Sequence, residues 1–189
     1  MAKKRSSAGE GVGEGSGLRH VLVVGGTTQE WDDLGVDLWA ARRNDLAKVV
    51  AHAGAMWLTL RPFSSGGFAH GQSQTKRTID VREGCTVIVD PSADGRRRIL
   101  EAVDQLRDLP LDAIDETALA AVLMAPAPVE PDLTIILGPP EHLPPSLVWE
   151  LAYSEIVSVE THWNVLAAAH VEHAIDEFSR RHRRFGGIR

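Results

Sequence analysis

The first residues that could do chemistry follow the first apolar stretch of the chain. The run His20–Val24 (HVLVV) predicts a short strand, and it leads directly into Gly25, Gly26, Thr27 and Thr28. Backbone amides at a helix N-terminus can bind an anion without a charged side chain. The four residues lack both the G-x-G-x-x-G spacing of a dinucleotide loop and the lysine of a Walker sequence. They are therefore a candidate for residual anion binding through the backbone alone.

A second set of candidates lies in the last third of the chain. Glu155 carries a carboxylate in this stretch. Large aromatic side chains nearby offer area for a core or an interface, namely Trp149, Tyr153 and Trp163. The chain then ends with a basic run that leads into Arg184-Phe185-Gly186-Gly187. Cations are stabilised at a helix C-terminus, which explains the basic run but not the phenylalanine and the glycines after it.

The order of residues from Pro131 onward follows a recognisable pattern. The positions that carry it are Pro131, Asp132, Leu133, Ile135, Gly138, Trp149, Ala152, Tyr153, Glu155, Trp163 and 183–187. Shorter matches precede them at Arg19-His20-Val21, at Phe63-Ser64-Ser65, and at 86–89 followed by Gly95-Arg96. This order resembles the cis-prenyltransferases, the undecaprenyl diphosphate synthase family, whose members carry P-D-L-x-I-R-T-(S/G)-G-E-x-R-x-S-N-F-x-x-W-x-x-A-Y-x-E and a closing R-R-F-G-G.

The resemblance implies an α/β fold, a mostly parallel sheet with helices on both faces, in shortened form. Apolar runs predict strands at 20–24, 56–60, 86–89 and 133–137, and helical spacing predicts helices at 33–53, 94–106, from 115, 146–153 and 165–183. Alternating strands and helices favour the same architecture. Their apolar residues are expected to face inward, namely Leu34, Leu38, Ala41, Leu46, Val49 and Val50 in 33–53, and Ile99, Leu100, Val103 and Leu106 in 94–106. We expect a disordered tail over 1–17, one domain over 18–189, and a flexible polar segment over 69–77.

The resemblance also shows what this chain has lost. Gly26 stands where the family has the aspartate that helps to hold Mg²⁺ and the allylic diphosphate, and Glu30 stands where it has an arginine. Ile136 and His142 replace both arginines of the isopentenyl diphosphate site, and its serine is also gone. Losing three or four charge-assisted hydrogen bonds removes roughly 5–10 kcal/mol of binding, or on the order of 10⁴–10⁷ in rate. We therefore expect no catalytic residue in this chain.

What the family frame retains suggests a supporting role. The stretch between Phe68 and Thr86, which supplies the helix lining the product tunnel in the family, is much shorter here. The R-x-G ending of the family crosses the dimer interface and helps to close the diphosphate site of the other subunit. The chain thus resembles the Nogo-B-receptor-like accessory subunits, with the 184–187 ending completing the active site of a catalytic cis-prenyltransferase. Mg²⁺ would be bound in that partner complex, with a weak association at Glu155, and this chain would bind no cofactor by itself.

Two alternatives remain open at this point. The chain could form a homodimer and act as a pseudoenzyme scaffold or regulator. It could also be a diverged transferase on short prenyl diphosphates that uses Glu155 with Thr27 and Thr28.

Composition narrows the classes of partner. The chain has 189 residues, a formal net charge of −6 and one cysteine, Cys85. This acidity argues against a general nucleic-acid binder, and a single cysteine excludes an intramolecular disulfide and fits a reducing cytosol. No apolar run approaches the length of a membrane-spanning helix, and the start of the chain does not resemble a secretory signal. We therefore expect a cytoplasmic protein, with at most peripheral membrane association through a partner.

Overall fold

Six strands form one sheet. The structure, a computed structural model, describes residues 17–64 and 75–185, with side chains described through Arg181. The strands are β1 His20–Val24, β2 Trp57–Arg61, β3 Thr78–Arg82, β4 Cys85–Val89, β5 Leu133–Leu137 and β6 Glu155–Val159. Their order in the sheet is β3-β4-β2-β1-β5-β6. β3 pairs antiparallel with β4, and the other pairings are parallel.

Helices connect the parallel strands. They are α1 Thr28–Asp32, α2 Val36–His52, α3 Gly95–Leu106, α4 Glu116–Met124 and α5 Ala168–Phe185. Short 3₁₀ turns lie at Leu111–Ala113, Pro145–Leu147, Glu150–Ala152 and Trp163–Val165. Within the described residues, no helix combines the length and the apolar character that crossing a membrane requires.

The sheet has a helical layer on each face. Alternate strand residues such as Val21 and Ile135 share the larger buried cluster with Leu46 of α2 and Phe178 of α5. The opposite face carries a smaller cluster of Leu22, Val24, Ile136 and Leu147, and the mutually packed helices α3 and α4 belong to that side. This arrangement confirms the predicted mostly parallel α/β sheet with helices on both faces.

Two helices begin at residues that the sequence marks clearly. The Asp94 side chain accepts from the amide nitrogens of Arg96 and Arg97 at 3.0 and 3.2 Å. The Asp115 side chain accepts from the Ala118 amide at 2.8 Å. Both are N-caps that satisfy amides left without partners in the first turn, and the predicted starts of α3 and α4 are therefore confirmed.

The inward faces of two helices differ from the prediction only in part, since Leu46, Val50 and Leu106 are buried as expected. The predicted helix 33–53 begins later than expected, because α1 ends at Asp32 and α2 starts only at Val36, after Gly35. Leu38 is 61% exposed, and Leu100 and Val103 of α3 are 70% and 46% exposed. A Cβ on Gly95 would lie 2.8 Å from the Pro145 carbonyl oxygen. This close approach seats the start of α3 against the 3₁₀ turn, and the helix then turns Leu100 outward.

Other elements were mispredicted or lie beyond the description. The segment 146–153 forms two 3₁₀ turns instead of one helix. The first turn begins at Pro145, with Pro144 as its N-cap, and the second begins at Glu150. The strands β3 and β6 were not predicted. The expected disordered tail and flexible segment fall mainly on 1–16 and 65–74, outside the described residues.

Candidate functional site

Segments that follow three parallel strands meet at the carboxyl edge of the sheet. β1 lies between β2 and β5 and is parallel to both, so the residues after these strands lie side by side. The Gly25 amide donates to the Arg61 carbonyl at 3.1 Å, and the Phe63 amide donates to the Gly26 carbonyl at 2.6 Å. Ligands of open parallel sheets bind at this edge. It is therefore the place to examine for a phosphate site.

The first amides of α1 already have partners. The Thr27 amide donates to Glu30 Oε2 at 2.8 Å, and the Glu30 amide donates to Thr27 Oγ1 at 3.2 Å. The Thr28 amide donates to the Ser64 carbonyl at 3.0 Å. An anion would have to break these bonds and approach the Glu30 carboxyl group. In this geometry the amides of Thr27 and Thr28 are already occupied by protein acceptors.

Apolar side chains fill the space around the glycines. A Cβ on Gly26 would lie 2.7 Å from Trp163 Cγ, and a Cβ on Gly25 would lie 2.8 Å from Leu137 Cγ. Gly26 also has a φ of +72°, which side-chain-bearing residues rarely adopt. A carboxylate at position 26 therefore does not fit beside these rings and methyl groups. The residues at this edge do not fit Mg²⁺ in the way that the family pattern would require.

Three tryptophans pack behind this turn. The rings of Trp31 and Trp163 stack with centroids 5.0 Å apart, and Trp39 meets Trp31 edge-on at 5.0 Å. Trp31 Nε1 donates to the Gly25 carbonyl at 2.8 Å, and the Arg42 guanidinium lies 4.7 Å from the Trp163 ring centroid. Trp163 is only 1% exposed. The prediction that Trp163 forms an interface is therefore wrong, because its ring is committed to the core.

Glu155 lies at the amino edge of the sheet, opposite the carboxyl edge that carries the candidate site. It is the first residue of β6 and pairs in register with Leu133, which pairs with Val21 of β1. Gly26 lies five residues beyond Val21, about 16 Å further along the strand direction. Arg181 forms an ion pair with Glu155 at 3.3 Å. The structure thus does not bring Glu155 to the candidate site, and the described residues contain no cluster of three potential metal ligands.

The loop after β5 brings no cation to the edge. Glu141, His142 and Leu143 are exposed, and the sequence contains no lysine or arginine between Asp132 and Arg180. The sequence predicts that this loop has lost the arginines of the isopentenyl diphosphate site. The loop that should bind that diphosphate offers an acid, a histidine and prolines instead.

A buried ionic cluster occupies the same edge on the opposite face of the sheet. It consists of Arg61, Asp90, Arg98 and Glu150, each less than 9% exposed. Arg61 contacts Glu150 Oε1 at 2.6 Å and Asp90 Oδ2 at 3.2 Å. Arg98 contacts the same two oxygens at 2.9 and 3.6 Å. The cluster ties the ends of β2 and β4 to α3 and to the 3₁₀ turn at 150–152.

The two acids of this cluster are held ionised. Burial by itself raises the pKa of Asp90 and of Glu150, but the charges of Arg61 and Arg98 outweigh it, and both pKa values lie below their ordinary ranges. Glu150 Oε2 has no hydrogen-bond partner among the described residues. The cluster carries two charges of each sign, so neither guanidinium is left to bind a phosphate.

His20 lies close to this cluster and stays neutral because it is buried. It is 1% exposed, and burial lowers its pKa to about 4. Its ring nitrogens lie 2.9 Å from the Val129 carbonyl and 2.8 Å from Thr59 Oγ1. The histidine therefore links β1 to β2 and to the chain before β5.

The sequence contained one signal for this cluster. Gly95, Arg98, Ala102 and Leu106 are spaced by three or four residues and form the buried face of α3. An arginine on that face requires buried acids as partners. The identity of those acids was not readable, because Glu150 lies 52 residues from Arg98.

The other predicted site residues lie apart from this edge. Trp149 is half-buried and donates from Nε1 to Glu130 Oε1 at 2.7 Å, while Tyr153 is 47% exposed and hydrogen-bonds Glu116. Their rings lie 5.6 Å apart. Phe185 ends α5. The side chain of Arg184 and all of Gly186 and Gly187 lie outside the described part of the chain.

A cavity of about 270 Å³ lies beside the tryptophans. Its described lining includes the apolar side chains of Trp31, Leu34 and Trp39 together with the cations Arg43 and Lys76. Arg43 is paired with Asp80 at 3.2 Å. The described lining thus combines aromatic side chains with two cations and the acid Asp32.

Comparison with known proteins agrees with the fold and the residue pattern. A family model described as putative undecaprenyl diphosphate synthase matches residues 42–186; β1 and the turn after it precede that range. Isoprenyl transferase 2 of Bradyrhizobium diazoefficiens is 47% identical over 75 residues, which cover 40% of this chain and 30% of the relative. The ditrans,polycis-undecaprenyl-diphosphate synthase of Micrococcus luteus is 30% identical over 121 residues, covering 61% and 49%. The chain thus spans between about a third and a half of the length of these curated relatives.

Solved structures share the fold at low sequence identity. A probable undecaprenyl diphosphate synthase from Campylobacter jejuni superposes with a TM-score of 0.60 and 20% identity, over 89% of this chain and 98% of the other. The lavandulyl diphosphate synthase of Lavandula x intermedia gives a TM-score of 0.59 and 16% identity, over 87% and 96%. Because the family model covers most of the chain and the fold agrees, the chain belongs to the cis-prenyltransferase, or undecaprenyl diphosphate synthase, family.

Proposed function

We propose that the chain is a non-catalytic accessory subunit of a heteromeric cis-prenyltransferase, which makes polyprenyl diphosphate from isopentenyl diphosphate. The catalytic partner would hold Mg²⁺ and both diphosphates, and this chain would supply Arg184-Phe185-Gly186-Gly187 to complete that active site. The main observation behind the proposal is that apolar side chains fill the space at the carboxyl edge of the sheet. Trp163 and Leu137 occupy the space around Gly26 and Gly25, where a catalytic member needs its aspartate loop.

The charges at this edge support the same role. Condensation of two diphosphates needs cations to stabilise the oxygens that carry the developing charge. Arg61 and Arg98 are neutralised by Asp90 and Glu150 inside the fold. Because both guanidinium groups are paired inside the fold, they stabilise it and do not bind substrate.

An exposed apolar segment offers area for the partner. Leu143, Val148, Leu151 and Tyr153 are 56%, 45%, 39% and 47% exposed. Runs of exposed apolar side chains on a soluble domain mark interaction surfaces. We assign this segment, with half-buried Trp149 at its centre, to the interface with the catalytic subunit.

The test is reconstitution with a full-length relative that has an intact aspartate loop and comes from the same organism. Arg184→Ala, or deletion of 184–189, should lower the turnover of the complex at least tenfold, because one charge-assisted hydrogen bond contributes about 1.5–3 kcal/mol. Complex formation in gel filtration should not change. Arg180→Ala is the matched control, since Arg180 is exposed on the same helix, and it should keep full turnover. Unchanged turnover in the deletion variant would leave the homodimeric scaffold as the better account.

The cavity beside the tryptophans favours a second candidate. A pocket of about 270 Å³ with three large apolar side chains, two cations and one acid in its lining would suit a short prenyl diphosphate better than a long one. A diverged transferase on such substrates would show turnover with the purified chain alone. Lys76→Ala should then abolish that turnover, whereas the accessory role predicts none to abolish.

A further inference from the structure

An aromatic pair lies in the exposed segment between β5 and β6. The ring centroids of Trp149 and Tyr153 are 5.6 Å apart, and Tyr153 is 47% exposed while Trp149 is half-buried. Each ring carries a hydrogen-bond donor, and each donor meets a carboxylate. Trp149 Nε1 donates to Glu130 Oε1 at 2.7 Å, and the Tyr153 hydroxyl donates to Glu116. These four side chains form one contiguous aromatic–acid cluster, which runs from Glu116 through the two rings to Glu130.

The two acids of this cluster have no cationic partner within the described part of the chain. Each accepts from a ring donor through its Oε1 atom alone. The sequence offers no lysine or arginine between Asp132 and Arg180. The pKa of Tyr153 is raised, first by its hydrogen bond to Glu116 and also by desolvation and by the negative charges of both acids. The cluster is therefore a negatively charged surface that the chain itself does not neutralise.

This combination of groups fits a guanidinium ion. A cation is attracted to the face of a tryptophan or tyrosine ring when it lies within about 6 Å of the ring centroid. A carboxylate with a free oxygen accepts charge-assisted hydrogen bonds from the same cation. Arginine suits both contacts better than lysine, because its planar fork stacks on rings and binds carboxylates in a fixed geometry. The neighbouring side chains Val148 and Leu151 are 45% and 39% exposed, so the cluster lies within an apolar surface.

We propose that the aromatic–acid cluster binds an arginine side chain of the catalytic subunit, which lies against the rings of Trp149 and Tyr153 and pairs with Glu116 and Glu130. This inference rests on the proposed accessory role, because that role assigns the segment to the interface with the catalytic subunit. It adds a requirement for the partner, whose contact surface must present an arginine among apolar residues. Without that cation, two carboxylates would lose water on assembly and gain no counter-charge, which is unfavourable.

The first experiment uses N-acetyl-arginine amide as the probe and the full chain as the receptor. The indole Nε1–H signal of Trp149, identified by its absence in Trp149→Phe, should shift in a saturable way as the probe is added. N-acetyl-citrulline amide is the matched control, because it has the same shape without the charge. It should bind roughly fivefold more weakly or less, since the cation–π contact and the ion pairs are lost. The signals of Trp31 and Trp163, which are buried, should not move. Equal shifts with both probes would overturn the proposal.

Removal of the two charges is the reciprocal test with the same probe. Glu116→Gln with Glu130→Gln keeps oxygens that can accept from the two ring donors but removes both negative charges. The probe should then bind roughly fivefold more weakly. The matched control is Glu172→Gln with Asp176→Asn, which removes two exposed acids of α5 on the other face of the sheet. This control should bind the probe as the wild type does, and unchanged binding in the cluster variant would contradict the proposal.

Assembly with the catalytic subunit separates this inference from the accessory role itself. The wild-type chain should form the complex, and Glu116→Gln with Glu130→Gln should weaken it roughly tenfold and make its affinity less dependent on salt. Wild-type affinity in this double variant would overturn the arginine contact, leave the accessory role intact and assign the segment to a purely apolar contact. The absence of any complex would instead refute the accessory role, and the probe experiment alone would then decide whether the cluster binds a guanidinium ion.

Discussion

The buried ionic cluster allows a quantitative test of how the carboxyl edge is held together. Glu150→Gln keeps the shape of the side chain and an oxygen that both arginines can reach. It removes the negative charge and leaves Arg61 and Arg98 with Asp90 as their only acid in the cluster. Removing one partner of a buried ion pair costs about 3–5 kcal/mol. Because the amide oxygen retains the hydrogen bonds at 2.6 and 2.9 Å, we expect the lower limit, about 3 kcal/mol.

The assay is thermal and urea unfolding followed by circular dichroism at pH 7. A loss of about 3 kcal/mol lowers the Tm by roughly 6–12 °C for a domain of this size. The matched control is Glu101→Gln on α3, whose ion pair with Arg97 is more than half exposed. An exposed pair contributes about 0.2–1 kcal/mol, so the control should shift the Tm by no more than a few degrees.

Acid titration gives an independent readout of the same cluster. The folded pKa values of Asp90 and Glu150 lie below those of the unfolded chain. Their contribution is therefore complete above the unfolded values near pH 4 and is lost as the pH falls through the folded values. The wild-type protein should lose stability steeply in acid, and Glu150→Gln should show a shallower slope. A variant within about 1 kcal/mol of wild type at pH 7 would refute the electrostatic account.

Further outcomes follow from other parts of the structure. The purified chain should incorporate no labelled isopentenyl diphosphate with farnesyl diphosphate and Mg²⁺, and Gly26→Asp should not rescue it but should lower the Tm, because the new side chain meets Trp163; robust incorporation by either protein would contradict this. Light scattering should show a dimer or a larger complex, and Leu151→Glu, at a position 39% exposed, should shift it toward monomer without changing the Tm by more than a few degrees. Trp163→Ala should cost about 3–5 kcal/mol of stability and leave the oligomeric state unchanged, whereas a loss of assembly in a folded variant would return Trp163 to the interface. Cys85 should resist thiol reagents until the protein unfolds, since burial raises its pKa to about 12; fast labelling of the native protein would show that β4 opens.

The predicted strands succeeded where both faces are buried. All five residues of β1 and of β5 are buried, and continuous apolar runs of this length are typical of central parallel strands. The edge strands β3 and β6 escaped prediction. Strand β3 reads TIDVR and has no fully buried residue, because an edge strand with one exposed face tolerates charges that hide its pattern.

Helix orientation was predictable only in part. The caps at Asp94 and Asp115 are local interactions within three residues, so their side chains reveal the helix starts directly. Which face of α3 turns inward depends on contacts far away in the chain. The close approach of Gly95 to Pro145 and the pairing of Arg98 with Glu150 rotate Leu100 outward. Apolar spacing alone therefore placed Leu106 correctly but turned Leu100 and Val103 the wrong way.

The sequence by itself determined the family frame, the central strands and the loss of the cationic residues that a diphosphate needs, because these follow from residue identity and local order. Only the tertiary structure decided what replaced them. Trp163 fills the space at Gly26, Glu155 begins β6 at the opposite edge of the sheet, and Arg61 meets Asp90 and Glu150 across 29 and 89 residues. A buried charge must find its counter-charge wherever the fold brings one within reach. Such partners are selected by three-dimensional packing, which the spacing of residues along the chain does not encode.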